Sequence, residues 1–373
     1  MVQNYVRRGA RGTAVVGAGL AGVTAARTLA DHGLDVVVFE KSRGPGGRMA
    51  RRSYGAHQFD FGAQYFTVRD PRTRERLPRW IRDGVVAEWP LRLASLRLDG
   101  QRPQGLSGLE LLQPSEPRFV ATPGMTALCK HVANGLELRR RRRVVGLDRT
   151  DAGWMVISEA TTNGEHSTDE MRVDGPFQHL VLALPAEQAA QLLDLAPDLR
   201  SHAAAVCHQP CWAVMLGVAE PLDLPFDGAF VDAGPLRWVA RDSSKPGRPS
   251  AESWVLHAGP EWSSAHFDDD PADVCRALIE TFEHVAGRST GDPGRFRDKD
   301  ATELAAGRPP VAAHRWRYSM ADDPLDGGSL WDEQLRLGLC GDWCAGSRVE
   351  GAFLSGLSIA TAILTAVRRS DAP

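Results

Sequence analysis

A glycine run near the start of the chain, Gly17-Ala18-Gly19-Leu20-Ala21-Gly22, restricts the possible folds more than any other feature. It follows the short β-branched stretch Thr13–Val16 and opens a helical pattern over Leu20–His32. Val23, Ala26, Leu29 and Ala30 share one face of that pattern, and Gly33 stops it. Val36–Phe39 reads as a second buried strand ending at Glu40. A strand, a G-x-G-x-x-G turn, a helix and a second strand ending in an acid make up a βαβ unit that binds a dinucleotide. Gly17 permits the tight turn, Gly19 lets backbone amides approach a diphosphate, and Gly22 lets the helix pack on the strand. Leu20 and Ala21 begin the helix whose positive end meets the phosphates. Glu40 is placed to accept from both hydroxyls of a ribose.

The chain has 373 residues, which suggests about two domains. Its net charge of -3 gives no global argument for a nucleic-acid partner or an anionic membrane. The run Arg139–Arg143 reads as a solvated edge, not a nucleic-acid contact. Six cysteines form no C-x-x-C and have no zinc spacing, so reduced thiols, a cytoplasmic location and no metal are expected. No signal peptide and no stretch of eighteen apolar residues is visible, so no membrane association is expected either. Strand-like runs at Trp212–Val218, Ala229–Val231, Leu236–Ala240 and Ser253–His257, then a helix at Ala272–Ala286 and a strand at His314–Tyr318, predict a separate α+β domain, mostly antiparallel. Leu136–Leu147 reads as one strand, and residues 98–118 as a polar surface excursion.

The fingerprint alone does not separate FAD from NAD. Lys41-Ser42-Arg43-Gly44-Pro45-Gly46-Gly47-Arg48 follows the ribose acid directly and resembles the E-x(5,6)-G-G-R signature of the flavin amine oxidase superfamily. The resemblance implies FAD, with Lys41, Gly47 and Arg48 near the cofactor, Arg48 by its phosphates. Phe61-Gly62-Ala63-Gln64-Tyr65-Phe66 resembles the superfamily segment beside the isoalloxazine, which implies that Gly62, Ala63 and Gln64 line the ring. Cys340-Gly341-Asp342-Trp343, Ser347-Arg348-Val349-Glu350-Gly351-Ala352 and Ser355-Gly356 resemble its C-terminal flavin motif. There Gly341, Asp342, Glu350, Gly351, Ala352 and Ser355 are implied as contacts. The helix opening at Gly351 would direct its positive end at the flavin ring, where charge gathers on reduction. By the same resemblance Val144 would touch adenine through its backbone, and Leu184 and Pro185 would form a crossover beside the cofactor.

Arg237–Arg248, His314–Ser319 and Arg118–Met125 are similar to segments of bacterial renalase-like flavoproteins, a similarity running from about Thr13 to Val367. It implies an α/β protein with a Rossmann-type FAD-binding domain and a second α+β substrate domain, like p-hydroxybenzoate hydroxylase. The expected division is a discontinuous FAD domain (12–75, 118–190, 335–373), a substrate domain (76–117, 191–334) and an N-terminal arm (1–11). The implied activity is oxidation of aberrant dihydro-NAD(P) isomers to NAD(P)+, by hydride transfer to flavin N5 with dioxygen reduced to hydrogen peroxide. Gln64, Tyr65, Trp238, His314, Trp316 and Tyr318 are the candidate catalytic and pocket residues; on a strand, His314, Trp316 and Tyr318 share a face. An amine oxidase or other small-molecule dehydrogenase, and a flavin-binding module without turnover, stay open, as does a monomer or homodimer. Lys245 is the one lysine that suits an amine oxidase, and it stands in a Ser/Pro/Gly loop.

Overall fold

A computed structural model describes residues 12–97, 106, 108–162, 165–290 and 309–370. The expected N-terminal arm and part of the 98–117 excursion lie outside the described residues. The chain divides into two compact units. One takes the chain through Gly47, then Cys129–Cys207, then from Ala321 onward; the other takes Arg48–Leu128 and His208–Met320.

The first unit is built on a six-stranded sheet in the order Leu330–Asp332, Leu337–Leu339, His179–Leu182, Thr13–Val16, Val36–Glu40, Glu137–Arg140. All its neighbours pair in parallel except the first two. The β-branched runs at Thr13–Val16 and Val36–Glu40 are buried almost throughout, as a parallel sheet covered on both faces requires. The helix Leu20–Asp31 packs against the C-terminal helix Val349–Ser370. Gly356 makes this close approach possible, because a Cβ there would stand 2.3 Å from the Ala21 carbonyl oxygen. By length and mean hydropathy (1.5 over eighteen residues) the C-terminal helix could cross a membrane, which the sequence reading did not expect. Phe353, Ile359, Ala360 and Ile363 are nevertheless buried within the protein.

The expected single strand over Leu136–Leu147 is two strands in two sheets. Glu137–Arg140 joins the parallel sheet, and Arg142–Thr150 begins a three-stranded antiparallel meander with Gly153–Thr162 and Glu165–Phe177. The break is Arg141, in the left-handed region at φ 55°, a conformation that no strand continues through.

The second unit contains a seven-stranded sheet in the order Val311–Ala321, His208–Gly217, Ser253–Ala258, Leu236–Arg241, Gly228–Ala233, Leu93–Arg97, Leu109–Leu112. From His208–Gly217 to Leu109–Leu112 its pairings are antiparallel, apart from the parallel pairing of Gly228–Ala233 with Leu93–Arg97. Leu109–Leu112 falls inside the stretch expected to be a polar excursion, and its apolar residues make it an edge strand. Alternation gives the sheet two apolar faces. Trp212, Val214, Leu216, Trp254 and Leu256 pack with Leu278 and Phe282 of the helix Pro271–Ala286. Ala213, Met215, Val255 and Ala312 point the other way, onto Phe59 and Phe61.

That second face explains where the observed division departs from the expected one. Residues 48–75 and 118–128 belong with the sheet unit because Phe59 and Phe61 are core residues there, and because the Arg48 carbonyl accepts from the Ala63 amide at 2.9 Å. Residues 191–207 and 321–334 belong with the nucleotide unit, where Leu193, Leu199, Ala203 and Val206 share the core of Phe39 and Leu182.

Candidate functional site: a dinucleotide cradle and an aromatic sheet face

The cradle in the first unit is made by backbone. Gly17 lies at φ +106°, and a Cβ there would stand 2.4 Å from the Ala183 carbonyl oxygen. Gly22 is equally constrained, since its Cβ would fall 2.0 Å from the carbonyl oxygen of Gly17. Gly19 meets nothing within 4 Å: it opens on free space at the N-cap of the helix Leu20–Asp31. No side chain caps that helix and no acidic residue occupies its first turn. Its free amides and positive end are the donor set a diphosphate needs. Leu20 and Ala21 are both 5% exposed, so only their backbone is available. Gly47 seats beside the loop, its Cβ position 3.2 Å from the Gly19 Cα, while Gly46 donates to the Ala18 carbonyl at 2.9 Å.

Glu40 is buried and already accepts from two amides, Ala18 at 2.8 Å and Ser42 at 2.7 Å. One carboxylate thus clips the glycine loop to the end of the second strand, and each oxygen keeps a further lone pair for a ribose hydroxyl. Lys41 is exposed.

The C-terminal motif meets the same loop. Trp343 donates its indole N–H to the Leu184 carbonyl at 2.9 Å, and the Leu184 side chain lies 3.3 Å from the Cβ position of Gly17. Pro185 follows and caps the short helix Ala186–Ala190. Ser355, fully buried, accepts from the Gly341 amide at 2.9 Å, so its hydroxyl sets the backbone of the motif. The Asp342 carbonyl accepts from Ala345 and Ser347, and both Asp342 and Glu350 are buried. Gly351 cannot carry a side chain, since its Cβ would stand 2.3 Å from the Ala345 carbonyl oxygen. Gly351 and Ala352 lie in the first turn of the C-terminal helix. Val144 packs in the core, and the bulge between Val144 and Gly146 leaves Val145 outside the ladder. These features fit FAD. Its diphosphate would meet the amides at Gly19–Ala21, its ribose Glu40, and its ring-bearing half the Gly341–Ala352 motif.

Cys344 is buried beside this motif, and burial pushes its thiol far above the usual range.

In the second unit, the sheet face opposite the helix Pro271–Ala286 gathers the predicted pocket residues. Phe61 stacks on Trp316 at 5.2 Å between centroids, and His314 meets both rings edge-on, at 4.9 and 4.5 Å. The Trp316 indole donates to the Phe61 carbonyl at 2.9 Å. Gly62 is held without a side chain between the Arg48 carbonyl and Trp316. Tyr65 lies against Trp238 at 5.7 Å and Trp89 at 6.5 Å, with the Arg118 guanidinium over its ring. Trp238 is 7% exposed, and its indole N–H has no partner among the described residues. Burial, then the charge of Arg52, lowers His314 to about 4, so it is neutral at pH 7. Tyr318 shares the strand face but pairs with His208, apart from the Phe61 cluster.

Two of the candidate residues are held by bonds within the protein. Arg48 donates to the Ser319 carbonyl at 2.9 Å, both residues within the second unit. Gln64 is buried and engaged within the protein: its amide nitrogen donates to the Asp60 and Gly62 carbonyls, and its oxygen accepts from Lys245 at 3.2 Å.

Lys245 reveals what the sequence reading missed. Its ammonium is fully buried, 2.5 Å from Asp242 and 3.8 Å from Asp60, and lies over the Trp89 ring. Asp60 also pairs with Arg248 and accepts from the Met125 amide. Burial pushes the Asp242 carboxyl up, against the pull of Lys245. Four charged groups are thus enclosed together, Asp60, Asp242, Lys245 and Arg248. Their spacing within Asp242-Ser243-Ser244-Lys245-Pro246-Gly247-Arg248 reads as a solvated loop, and only tertiary packing shows otherwise.

Residues 15–80 match the family model for an NAD(P)-binding Rossmann-like domain, and residues 104–364 match that for flavin containing amine oxidoreductases. A segment of 48 residues is 52% identical to a zeta-carotene-forming phytoene desaturase of Myxococcus xanthus, covering 13% of this chain and 9% of that protein. Another of 73 residues is 46% identical to the hydroxyneurosporene desaturase of Rubrivivax gelatinosus, covering 20% and 12%. The matches therefore span only a small part of those relatives. The fold resembles that of a protein assigned as a protoporphyrinogen oxidase of Exiguobacterium sp. 255-15, at TM-score 0.67 and 12% identity over 95% of this chain and 98% of that one. It also resembles a putrescine oxidase variant redesigned in cofactor binding, at TM-score 0.65 and 12% identity over 95% and 99%. With the family model covering most of the chain, and the cradle it requires built from Gly17–Gly22, Glu40 and Gly351, the protein belongs to the flavin containing amine oxidoreductase family, whose cofactor is FAD.

Proposed function

We propose that this protein oxidises a small planar dihydropyridine, of the kind found in aberrant dihydro isomers of NAD(P)H, with dioxygen as the final acceptor. Bound FAD supplies the two-electron acceptor, taking the equivalent of a hydride. The observation that carries this reading is the unpartnered indole N–H of Trp238, buried beside Tyr65 in an aromatic sheet face. A buried donor without an acceptor costs about 1–3 kcal/mol, and a carboxamide carbonyl on a flat ring would relieve that cost. The other residues suit chemistry without a base. Burial lowers His314 and His257 to about 4, which makes both weak bases, and the Lys245 ammonium is held by Asp242. A dihydropyridine needs no proton removed, because loss of hydride aromatises the ring. Phe61, Trp316 and Tyr65 then orient the substrate and exclude water. A reducing, cytoplasmic setting suits the six free cysteines.

A second reading, oxidation of an amine, is favoured by one feature: a fully buried lysine hydrogen-bonded to Gln64, beside the segment expected to line the ring. The two readings separate in one experiment. FAD-loaded protein is mixed anaerobically with partially isomerised NADH or NADPH, and separately with primary and polyamines. Rapid bleaching by the nicotinamide mixture alone supports the first reading. Bleaching by amines alone overturns it in favour of the second, and no bleaching by either supports a flavin-binding module.

A further inference from the structure

The run Arg139–Arg143 belongs to neither part of the site above, yet it lines a cavity of about 770 Å³. Arg43, Leu138, Arg139, Arg140, Arg141, Arg142, Arg172 and Asp174 form its walls. None of the glycine-loop residues does, so the groove is separate from the diphosphate cradle although both belong to the first unit. Its charges are unequal. Arg139 is neutralised by Asp174 and Glu137 and lies over the Phe39 ring. Arg43, Arg140, Arg141 and Arg172 have no carboxylate within ion-pair distance among the described residues.

Two further observations show a built site, not a loose surface. Arg142 is 8% exposed, and its guanidinium is fixed on Ser158, at 2.6 Å to the carbonyl and 3.0 and 3.2 Å to the hydroxyl. Arg141 is held in the left-handed region by bonds on both sides: its amide donates to the Ser42 carbonyl, and its own carbonyl accepts from the Thr161 amide, each at 3.0 Å. A non-glycine residue in that conformation is strained, and such strain gathers at ligand sites.

We infer that this groove binds a small polyphosphate, a ligand carrying two or more phosphate groups. Guanidinium forks match phosphate oxygens two by two. Four cations around one concavity, with no carboxylate partner among the described residues, suit an anion of several charges, and the volume lies in the range of small-ligand sites. A flat anionic membrane would not enter a concave groove. The site stands next to the cofactor cradle in the sheet, since Glu40 and Arg140 are paired strand neighbours and the Arg141 amide donates to the Ser42 carbonyl.

The test uses FAD-saturated protein, so that the glycine loop is filled. Sodium tripolyphosphate is titrated by calorimetry at constant ionic strength, against wild type and the double variant Arg140→Gln/Arg172→Gln, neither position belonging to the cofactor or pocket residues. The expected result is saturable binding to one site, at least about tenfold weaker in the variant, with flavin absorbance unchanged in both. Equal binding in wild type and variant, or a non-saturating response matched by sulfate, overturns the proposal. So does tighter binding of single-stranded RNA or of phosphatidylserine vesicles than of tripolyphosphate. A circular-dichroism match between variant and wild type keeps a folding defect from passing as lost binding.

Discussion

The two units present candidate sites of different kinds. In the first, backbone makes the site: glycines without room for a Cβ, an uncapped helix N-terminus, and a carboxylate clipped across two amides. In the second, side chains on one face of an antiparallel sheet make it, with a buried charge network behind them. Backbone sites tolerate almost no substitution at a few positions, and those positions fall at fixed spacing in the chain. Side-chain sites depend on which face a strand presents and on what packs above it, and much of that is set far away in sequence.

The contrast is sharpest at Gly17. Gly17→Ala adds a Cβ 2.4 Å from the Ala183 carbonyl oxygen at φ +106°, and the loop cannot keep its shape. We expect FAD affinity to fall about a hundredfold or more, roughly 3 kcal/mol, measured by fluorescence titration of the apoprotein. A colour-retaining Gly17→Ala protein would break the distinction between the two sites.

Lys245→Met is the counterpart in the second unit. It leaves Asp60 and Asp242 enclosed with Arg248 as the remaining cation of the network. Breaking a buried pair in this way costs about 3–5 kcal/mol. A fall in melting temperature is expected in denaturation by heat, larger than that of Lys245→Met combined with Asp242→Leu, which removes both charges.

Trp238→Phe sharpens the comparison further, because it keeps the ring and removes only the unpartnered N–H. The fold should lose little, and could gain, since an unsatisfied donor disappears. With isomerised dihydronicotinamide as substrate, kcat/KM should fall about tenfold, one hydrogen bond's worth of transition-state stabilisation. An unchanged kcat/KM would remove Trp238 from the substrate site.

A further test concerns pH. His179, His257 and His314 are each lowered to about 4, chiefly by burial, from an ordinary 6.5. As pH falls below 6.5 the unfolded chain takes up protons that the folded one refuses. Stability is therefore full above that pH and declines down to about 4. Each neutral imidazole contributes at most about 1.4 kcal/mol per pH unit across that window. Chemical denaturation at pH 7, 6 and 5 reads the slope, and flat stability would show these rings to be protonated in the fold.

The same contrast explains how far the sequence could be read. Gly17, Gly22, Glu40 and Gly351 were legible because backbone geometry fixes both residue type and spacing. Trp316 and His314 were legible as sharing a face because a strand has a period of two. The roles of Gln64 and Lys245 were not, because a lysine among Ser, Pro and Gly gives no local sign of enclosure; only the fold brings Asp60 to it. The break at Arg141 was hidden for a related reason. Five consecutive arginines have no apolar period to show where one sheet ends and the next begins. The division into units differs at 48–75 because Phe61 reads as part of the flavin segment, while its ring, with that of Phe59, belongs to the other core.

The central claim is that the turn at Gly17–Gly22 and the helix start at Gly351 grip one FAD. A crystal structure of the FAD-loaded protein tests it most directly. The account predicts diphosphate oxygens within hydrogen-bond distance of the amides at Gly19–Ala21, ribose hydroxyls on Glu40, and the ring end of the flavin at Gly351 and Ala352. FAD bound with its diphosphate away from those amides, or with its ring remote from Gly351, would contradict it.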